Sequence, residues 1–390
     1  MRKVTTEERR VRLGVRHHLA TPGESVVAVA RDLVGLHSSD PATVYLSARA
    51  RLSGFGVHDL EHALYEERSL LRMLGMRRTM FVVPHDVAAV MDAACTKLLA
   101  PAERRRLIRM LEDQGITSDG EAWLVDVEAK TLHHLDRRGE ATASELRSDM
   151  PEFTESLRFG EGKTWGGFTG VSTRILFFLA TAGEIIRARP RGSWISSQYR
   201  WTSLEAWIGG TLAAYDTAEA QAELVRRWLR SFGPGTFTDV KWWTGWTVRD
   251  TRAALEAVGA VEIELDDGSG FVLAEDVEPI EPPGDWVALL PSLDPTAMGW
   301  KERDWYFGDH VPQLFDPNGN AGPTVWWNGR VIGGWSQHKA TGEVRYRLLE
   351  PVPDTVVSAV AEEAATLQEW LGEVRISARF PTPLDKELRS

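Results

Sequence analysis

The chain has 390 residues, 43% of them hydrophobic and 9% aromatic, with 45 Lys and Arg against 56 Asp and Glu for a formal net charge of −11. This composition gives enough apolar length for two or three packed domains and excludes a disordered chain. The longest apolar run, near Ile175 to Ile186, is too short to span a bilayer, and the charged opening Arg2-Lys-Val-Thr-Thr-Glu-Glu is no secretory signal, so a cytoplasmic protein is expected.

Taken in chain order, Thr5 to Leu13 predicts a helix with a hydroxyl cap, and Glu24 to Val34 predicts a second. Gly35-Leu-His-Ser-Ser-Asp-Pro follows, in which Asp40 before Pro41 starts a third helix over Ala42 to Leu52: Asp accepts first-turn amides, and Pro has the right φ and no amide to leave unpaired. Asp40 is therefore read as a cap. Leu70 to Val83 then forms an apolar ribbon edged by Arg68, Arg72, Arg77 and Arg78. His58-Asp-Leu-Glu-His62 fits a zinc pattern, but the spacing arises on any polar helix face and no third ligand is identifiable, so no metal is assigned. The single cysteine, Cys95, excludes an internal disulfide and reads as a small buried hydrophobe.

The same order returns twice. Glu121 onward predicts a helix, and Thr142-Ala-Ser-Glu-Leu a short one with its cap. Thr173 to Ala180 predicts a third, before a ribbon pairing Ile185-Ile-Arg-Ala-Arg with Trp194 to Arg200. Further on come helices at Gln221 to Leu229, Thr238 to Trp243 and Val248 to Val258, then Val261 to Leu265 turning back into Phe271-Val-Leu. Helix, turn, helix and ribbon in tandem make the pattern of a winged helix, a fold that docks on duplex DNA.

Charge distinguishes the copies. The first 200 residues carry 29 Lys and Arg against 26 Asp and Glu, whereas the remaining 190 carry 16 against 30. The ribbon 185–200 has no acidic residue, and its Arg187, Arg189, Arg191 and Arg200, with Arg77 and Arg78, are candidates for phosphate or minor-groove contact. By contrast, the stretch Val261 to Asp285 holds nine acidic residues and no basic one, so it is expected to be scaffold. The arginines around Arg104 fit a solvated face as well as a contact surface, and the 16 tryptophans are read as packing.

From about residue 286 strands dominate: Trp286 to Pro291, Thr324 to Trp327, Arg330 to Trp335 across Asn328-Gly329, and Val344 to Leu349. A helix over Asp354 to Leu371 and a last strand near Val374 to Arg379 complete the expectation. The fold class is α+β, tandem winged-helix domains followed by a small β-rich carboxy-terminal module. The divisions are 1–115, 116–201, 202–283 and 284–390.

Gly35-Leu-His-Ser-Ser-Asp-Pro with Leu46-Ser-Ala-Arg-Ala-Arg, the ribbon Met76-Arg-Arg-Thr-Met-Phe-Val-Val, and Leu290-Pro-Ser-Leu-Asp-Pro with Trp300-Lys-Glu-Arg together resemble the bacterial winged-helix DNA glycosylases. Those enzymes act on alkylated purines and unhook interstrand crosslinks made by azinomycin-type genotoxins. The resemblance covers nearly the whole chain and implies a concave DNA-binding face, double-stranded and damaged DNA as partner, and neither metal nor organic cofactor. It also implies a catalytic pair of glutamine, any residue, then glutamine or aspartate, which falls here on His37 and Ser39. Arg78 and Phe81 stand where the family usually carries Gly and His, while the family's late Asp and Arg are kept as Asp294 and Arg303.

An N7-alkylated purine is already a cationic leaving group, so its excision needs water positioned at C1′ rather than a strong acid. His37 can orient or deprotonate that water and Ser39 can hold it; a titrating His37 would make activity fall below roughly pH 6.5. The bland role for His37 is a polar turn residue, and for Asp294 a loop cap. The competing readings are a winged-helix DNA-binding regulator without chemistry and an enzyme for another lesion. A monomer is expected.

Overall fold

The computed structural model describes residues 2–163 and 166–390. Three times the chain runs helix, short strand, two helices and hairpin, and each time the short strand adds to the returning strand of the hairpin. The first copy comprises helix Val26–Asp32, strand Leu36–His37, helix Pro41–Arg49, helix Val57–Glu61 continuing through His62–Glu66, and strands Leu70–Leu74 and Met80–Pro84. The second uses Gly120–Arg138, Ala141–Thr142, Ala143–Asp149, Val171–Ala182, Ile185–Pro190 and Tyr199–Ser203. The third uses Thr217–Phe232, a bridge from Gly235 to Phe271, Phe237–Thr244, Val248–Ala257, Val261–Leu265 and Gly268–Val272.

Local chemistry explains the starts. Thr142 caps Ala143–Asp149 by accepting from the Glu145 amide, and the Glu145 carboxylate accepts from the Thr142 amide in return. Thr142→Ala is expected to destabilise the protein by about 1 kcal/mol in urea unfolding, the usual worth of such a cap. Thr236 caps Phe237–Thr244 in the same reciprocal way with Asp239.

Several elements differ from expectation. The helix before the first hairpin is Val57–Glu66 rather than 42–52, so that copy has one more helix than its sequence suggested. In the second copy the returning strand is Tyr199–Ser203, with Pro190 opposite Tyr199 and Ile185 opposite Ser203. Trp194 lies in the connecting turn, held 4.9 Å from the Tyr45 ring and 5.7 Å from Trp370, so aromatic packing places it instead of a ladder. Segment 374–379 is not a strand: the buried Gln337 amide donates to the Val374 carbonyl at 3.0 Å and accepts from the Ile376 amide at 2.8 Å, taking the place of a partner strand. A final helix, Pro383–Arg389, then seats on strand Arg330–Gln337, where Ser336 donates to Asp385 at 2.6 Å.

The carboxy-terminal sheet has the order Val287–Leu290, Thr324–Trp327, Arg330–Gln337, Val344–Leu348, all antiparallel. Asn328 and Gly329 make its tight turn with φ of 46° and 82°. One apolar core runs through the first copy, the third copy and this sheet, while the second copy packs around its own core built on Leu124, Phe153, Ile175 and Leu179.

The acidic third hairpin docks the opening of the chain. Asp266 accepts from the Thr6 amide at 2.7 Å and pairs with Lys3, and Asp276 takes Arg12 and Arg16 at 3.0 and 2.5 Å. Arg12 is only 1% exposed, so the arginines of helix Thr6–Arg16 serve the fold. No helix among the described residues is long and apolar enough to cross a membrane.

Candidate active site and nucleic-acid interface

His37 lies on the short first strand, opposite Phe81 of the wing, and the Ser38 amide donates to the Met80 carbonyl at 2.7 Å. Its ring meets Phe81 edge to face at 5.3 Å, and its Nδ1 is buried without a hydrogen-bond partner. Burial and, second, the charge of Arg77 push its pKa down to about 3 against a smaller opposing pull from Asp294. The expectation of titration near pH 6.5 is thereby corrected: this imidazole is neutral throughout the physiological range.

The neighbours of His37 are already engaged. Ser39 Oγ accepts from the Met80 amide at 3.4 Å, and the Ser39 carbonyl accepts from Arg379 Nη1 at 2.9 Å. Asp40 is the helix cap the sequence suggested, accepting from the amides of Ala42 at 3.1 Å and Arg379 at 2.9 Å. Burial nevertheless raises its pKa, outweighing those bonds.

Two cations meet near the tip of the wing that pairs with this strand. The wing tip holds Arg77 and Arg78 in the left-handed region, φ 52° and 62°, a conformation costly for residues with a Cβ and characteristic of functional loops. From the tip, the Arg77 guanidinium reaches 3.9 Å from the centre of the Trp242 ring, its stem lying against Gly245. Arg303 lies 5.1 Å from the same ring and 4.6 Å from Phe315. Neither arginine forms an ion pair among the described residues. Although Arg77 is solvent-exposed, the surrounding protein mass and then the charge of Arg303 lower its pKa to about 10. Two mutually repelling guanidinium groups around one indole, with no carboxylate between them, suit an anion such as a phosphate.

Trp242 was hidden among sixteen tryptophans. The signal available was the pair Trp242-Trp243: neighbours on a helix point about 100° apart, so only one of them can face the core. Trp243 does so at 5% exposure, and Trp242 is half-buried beside the arginines.

Asp294 occupies a different environment. It is fully buried and saturated: Arg51 donates to both of its oxygens at 2.6 and 2.8 Å, Ser47 at 2.7 Å and the Thr296 amide at 2.9 Å. Burial alone would raise its pKa, but the charge and hydrogen bonds of Arg51 outweigh it and the carboxyl titrates below its ordinary value. Every strong acceptor direction of this group is directed at the protein.

The wing arginines divide. Arg78 pairs with Glu103 at 2.9 Å, and Arg189 with Glu61 at 3.1 Å while its guanidinium covers the Tyr65 ring. Arg187 is packed against Tyr199 and Trp201, Arg191 is exposed, and Arg200 is half-buried. The helix arginine Arg104 bonds Glu121 and Glu128 and is a structural surface pair. His58 and His62 have ring centres 5.8 Å apart, and no group of three His, Cys, Asp or Glu among the described residues converges as metal ligands.

Comparison with known proteins adds three findings. A family model described as DNA glycosylase AlkZ-like matches residues 30–370. The fold is similar to that of the Streptomyces sahachiroi DNA glycosylase AlkZ, with a TM-score of 0.72 and 18% sequence identity over 97% of this chain and 99% of that one. No match is found among curated proteins.

Proposed function

Because the chain belongs to the AlkZ-like DNA glycosylase family, we propose that it binds duplex DNA across the face carrying Arg77 and Arg303 and hydrolyses the glycosidic bond of an N7-alkylated purine. The observation that carries this reading is the pair of unpaired guanidinium groups around Trp242 beside a buried, neutral, unpartnered His37. A backbone phosphate between the arginines would place the lesion's sugar near the imidazole.

The chemistry asked of the protein is small. The C1′–N9 bond breaks, its electron pair neutralises the positive purine, and water oxygen bonds to C1′ while its proton leaves to solvent. A histidine with a pKa of about 3 is a weak base, so His37 acts by accepting a hydrogen bond from the water and orienting it. Ser39 contributes a second polar contact. In this respect the buried imidazole does what a glutamine amide does, offering a neutral acceptor at a fixed place.

The test is a duplex bearing a single N7-alkylguanine, scored for alkali-labile abasic sites against the same duplex undamaged. Lesion-dependent release is expected. Absence of release together with tight preference for one undamaged sequence would replace the enzyme by a regulator. Arg77→Ala and Arg303→Ala are each expected to weaken duplex binding similarly across sequences and to reduce the slope of log affinity against log salt by about 1.

A further inference from the structure

Behind the His37 strand lie five buried polar atoms with no well-aligned hydrogen bond, although Tyr65 stands close enough to Arg72 to interact with it. They are Arg72 Nε, Arg187 Nε and the hydroxyls of Tyr45, Tyr65 and Tyr199. Both guanidinium groups face the Tyr199 ring, Arg72 at 4.8 Å and Arg187 at 5.2 Å, so the two cations share one neighbourhood. Arg72 is 2% exposed, Tyr45 0%, Tyr199 7% and Tyr65 8%. Arg72 donates to Ser38 Oγ, and neither guanidinium forms an ion pair among the described residues. The carboxylates close to the cluster are committed elsewhere, Glu61 to Arg189 and Asp40 to the amides of Ala42 and Arg379.

The donor set is selective. Guanidinium groups only donate, and each phenol can donate one hydrogen, so the cluster offers N–H and O–H with two positive charges. Water can satisfy phenols but leaves a buried Arg72 and a half-buried Arg187 side by side with no counter-charge, which is costly. An oxyanion satisfies both requirements. Access is provided by Arg187 and Tyr199, which line a surface depression of about 420 Å³ together with Thr142, Ser144 and Arg191.

We propose that Arg187 and Tyr199, backed by the buried Arg72, Tyr45 and Tyr65, form a phosphate-binding site opening beside the second hairpin. Through Arg72 and Ser38 the bound group is tied to the strand that carries His37. Its source is either a phosphodiester of the bound strand, which rests on the DNA-binding reading above, or free inorganic phosphate.

Thermal unfolding in inorganic phosphate against chloride at matched ionic strength tests the site without reference to base excision. The wild type is expected to show a saturable rise in Tm with phosphate alone. Tyr199→Phe and Arg187→Met, which keep most of the packing, are expected to need at least ten-fold more phosphate. If a phosphodiester is the occupant, phosphate competes with undamaged duplex and Arg187→Met lowers the salt slope of duplex binding by about 1. If free phosphate is the occupant, phosphate and duplex bind together and that slope is unchanged. No saturable phosphate effect in the wild type, or one that both variants retain in full, overturns the proposal.

Discussion

Replacing Asp294 by alanine is expected to destabilise the protein by about 3–5 kcal/mol, because it strands the Arg51 guanidinium in a dry interior. Both partners are buried, and the pair is the centre of a larger network: Arg51 also donates to the carbonyls of Ser47 and His17 and to Thr296 Oγ1, while His17 Nδ1 and Thr296 Oγ1 are 2.8 Å apart. These bonds fasten the helix that follows the His37 strand to the loop after the first strand of the carboxy-terminal sheet. A second prop is the Thr43 hydroxyl, which donates to the Ser292 carbonyl at 2.7 Å. The measurement is urea unfolding of Asp294→Ala, Asp294→Leu and the double variant Asp294→Leu with Arg51→Met. The double variant is expected to recover part of the loss, since an apolar pair leaves no buried charge unpaired. A carboxylate serving chemistry alone would give lost activity at unchanged stability. The pH dependence has a definite sign: the folded pKa is depressed, so this contribution is present above the ordinary value of 3.8 and is lost as pH falls through the lowered one.

What could be read from the sequence was what neighbours along the chain determine. Asp40 before Pro41, the Thr142 hydroxyl three residues before Glu145, and Asn328-Gly329 each carry their meaning within four residues, and each does in the fold what its chemistry suggests. The acidic stretch after Val261 was legible as scaffold from charge alone, though not its partner, since Arg12 lies 264 residues from Asp276. In helix Val57–Glu66 the histidines and glutamates make a polar face that is plain in the sequence, whereas the face formed by Leu60, Ala63 and Leu64 is fixed by burial in the fold. The strand expected near 374–379 is decided against by the tertiary contact with Gln337. The site itself depended most on tertiary context. Arg77, Trp242 and Arg303 come from three distant segments, and no local pattern announces that two arginines will face one indole. Nor could sequence give the protonation state of His37, which burial sets.

His37→Ala is expected to lower single-turnover excision of an N7-alkylguanine by about 100-fold, within the range for losing a group that positions or assists water, whereas His37→Gln retains most of the activity. The difference follows from the neutral state of the imidazole. If its task is to accept a hydrogen bond at a fixed point on the strand, a glutamine of comparable reach can do it; if its task is to take a proton, a glutamine cannot. The pH profile makes the same distinction. With a folded pKa of about 3, excision is expected to be flat from pH 8 to pH 6, and a decline centred near 6.5 would restore His37 as a titrating base. Stability follows a different course over that range and has to be followed alongside. His37 and His17 both have pKa values pushed down to about 3 by burial, then by Arg77 and Arg51 respectively, while in the unfolded chain both titrate near 6.5. Below 6.5 the unfolded state therefore binds more protons than the folded state, and stability falls with pH by up to about 1.4 kcal/mol per unit for each histidine. His37→Gln removes one of the two contributions. The variant is thus expected to lose stability less steeply on acidification than the wild type while its excision rate stays close, a combination that a histidine acting as a proton acceptor would not produce.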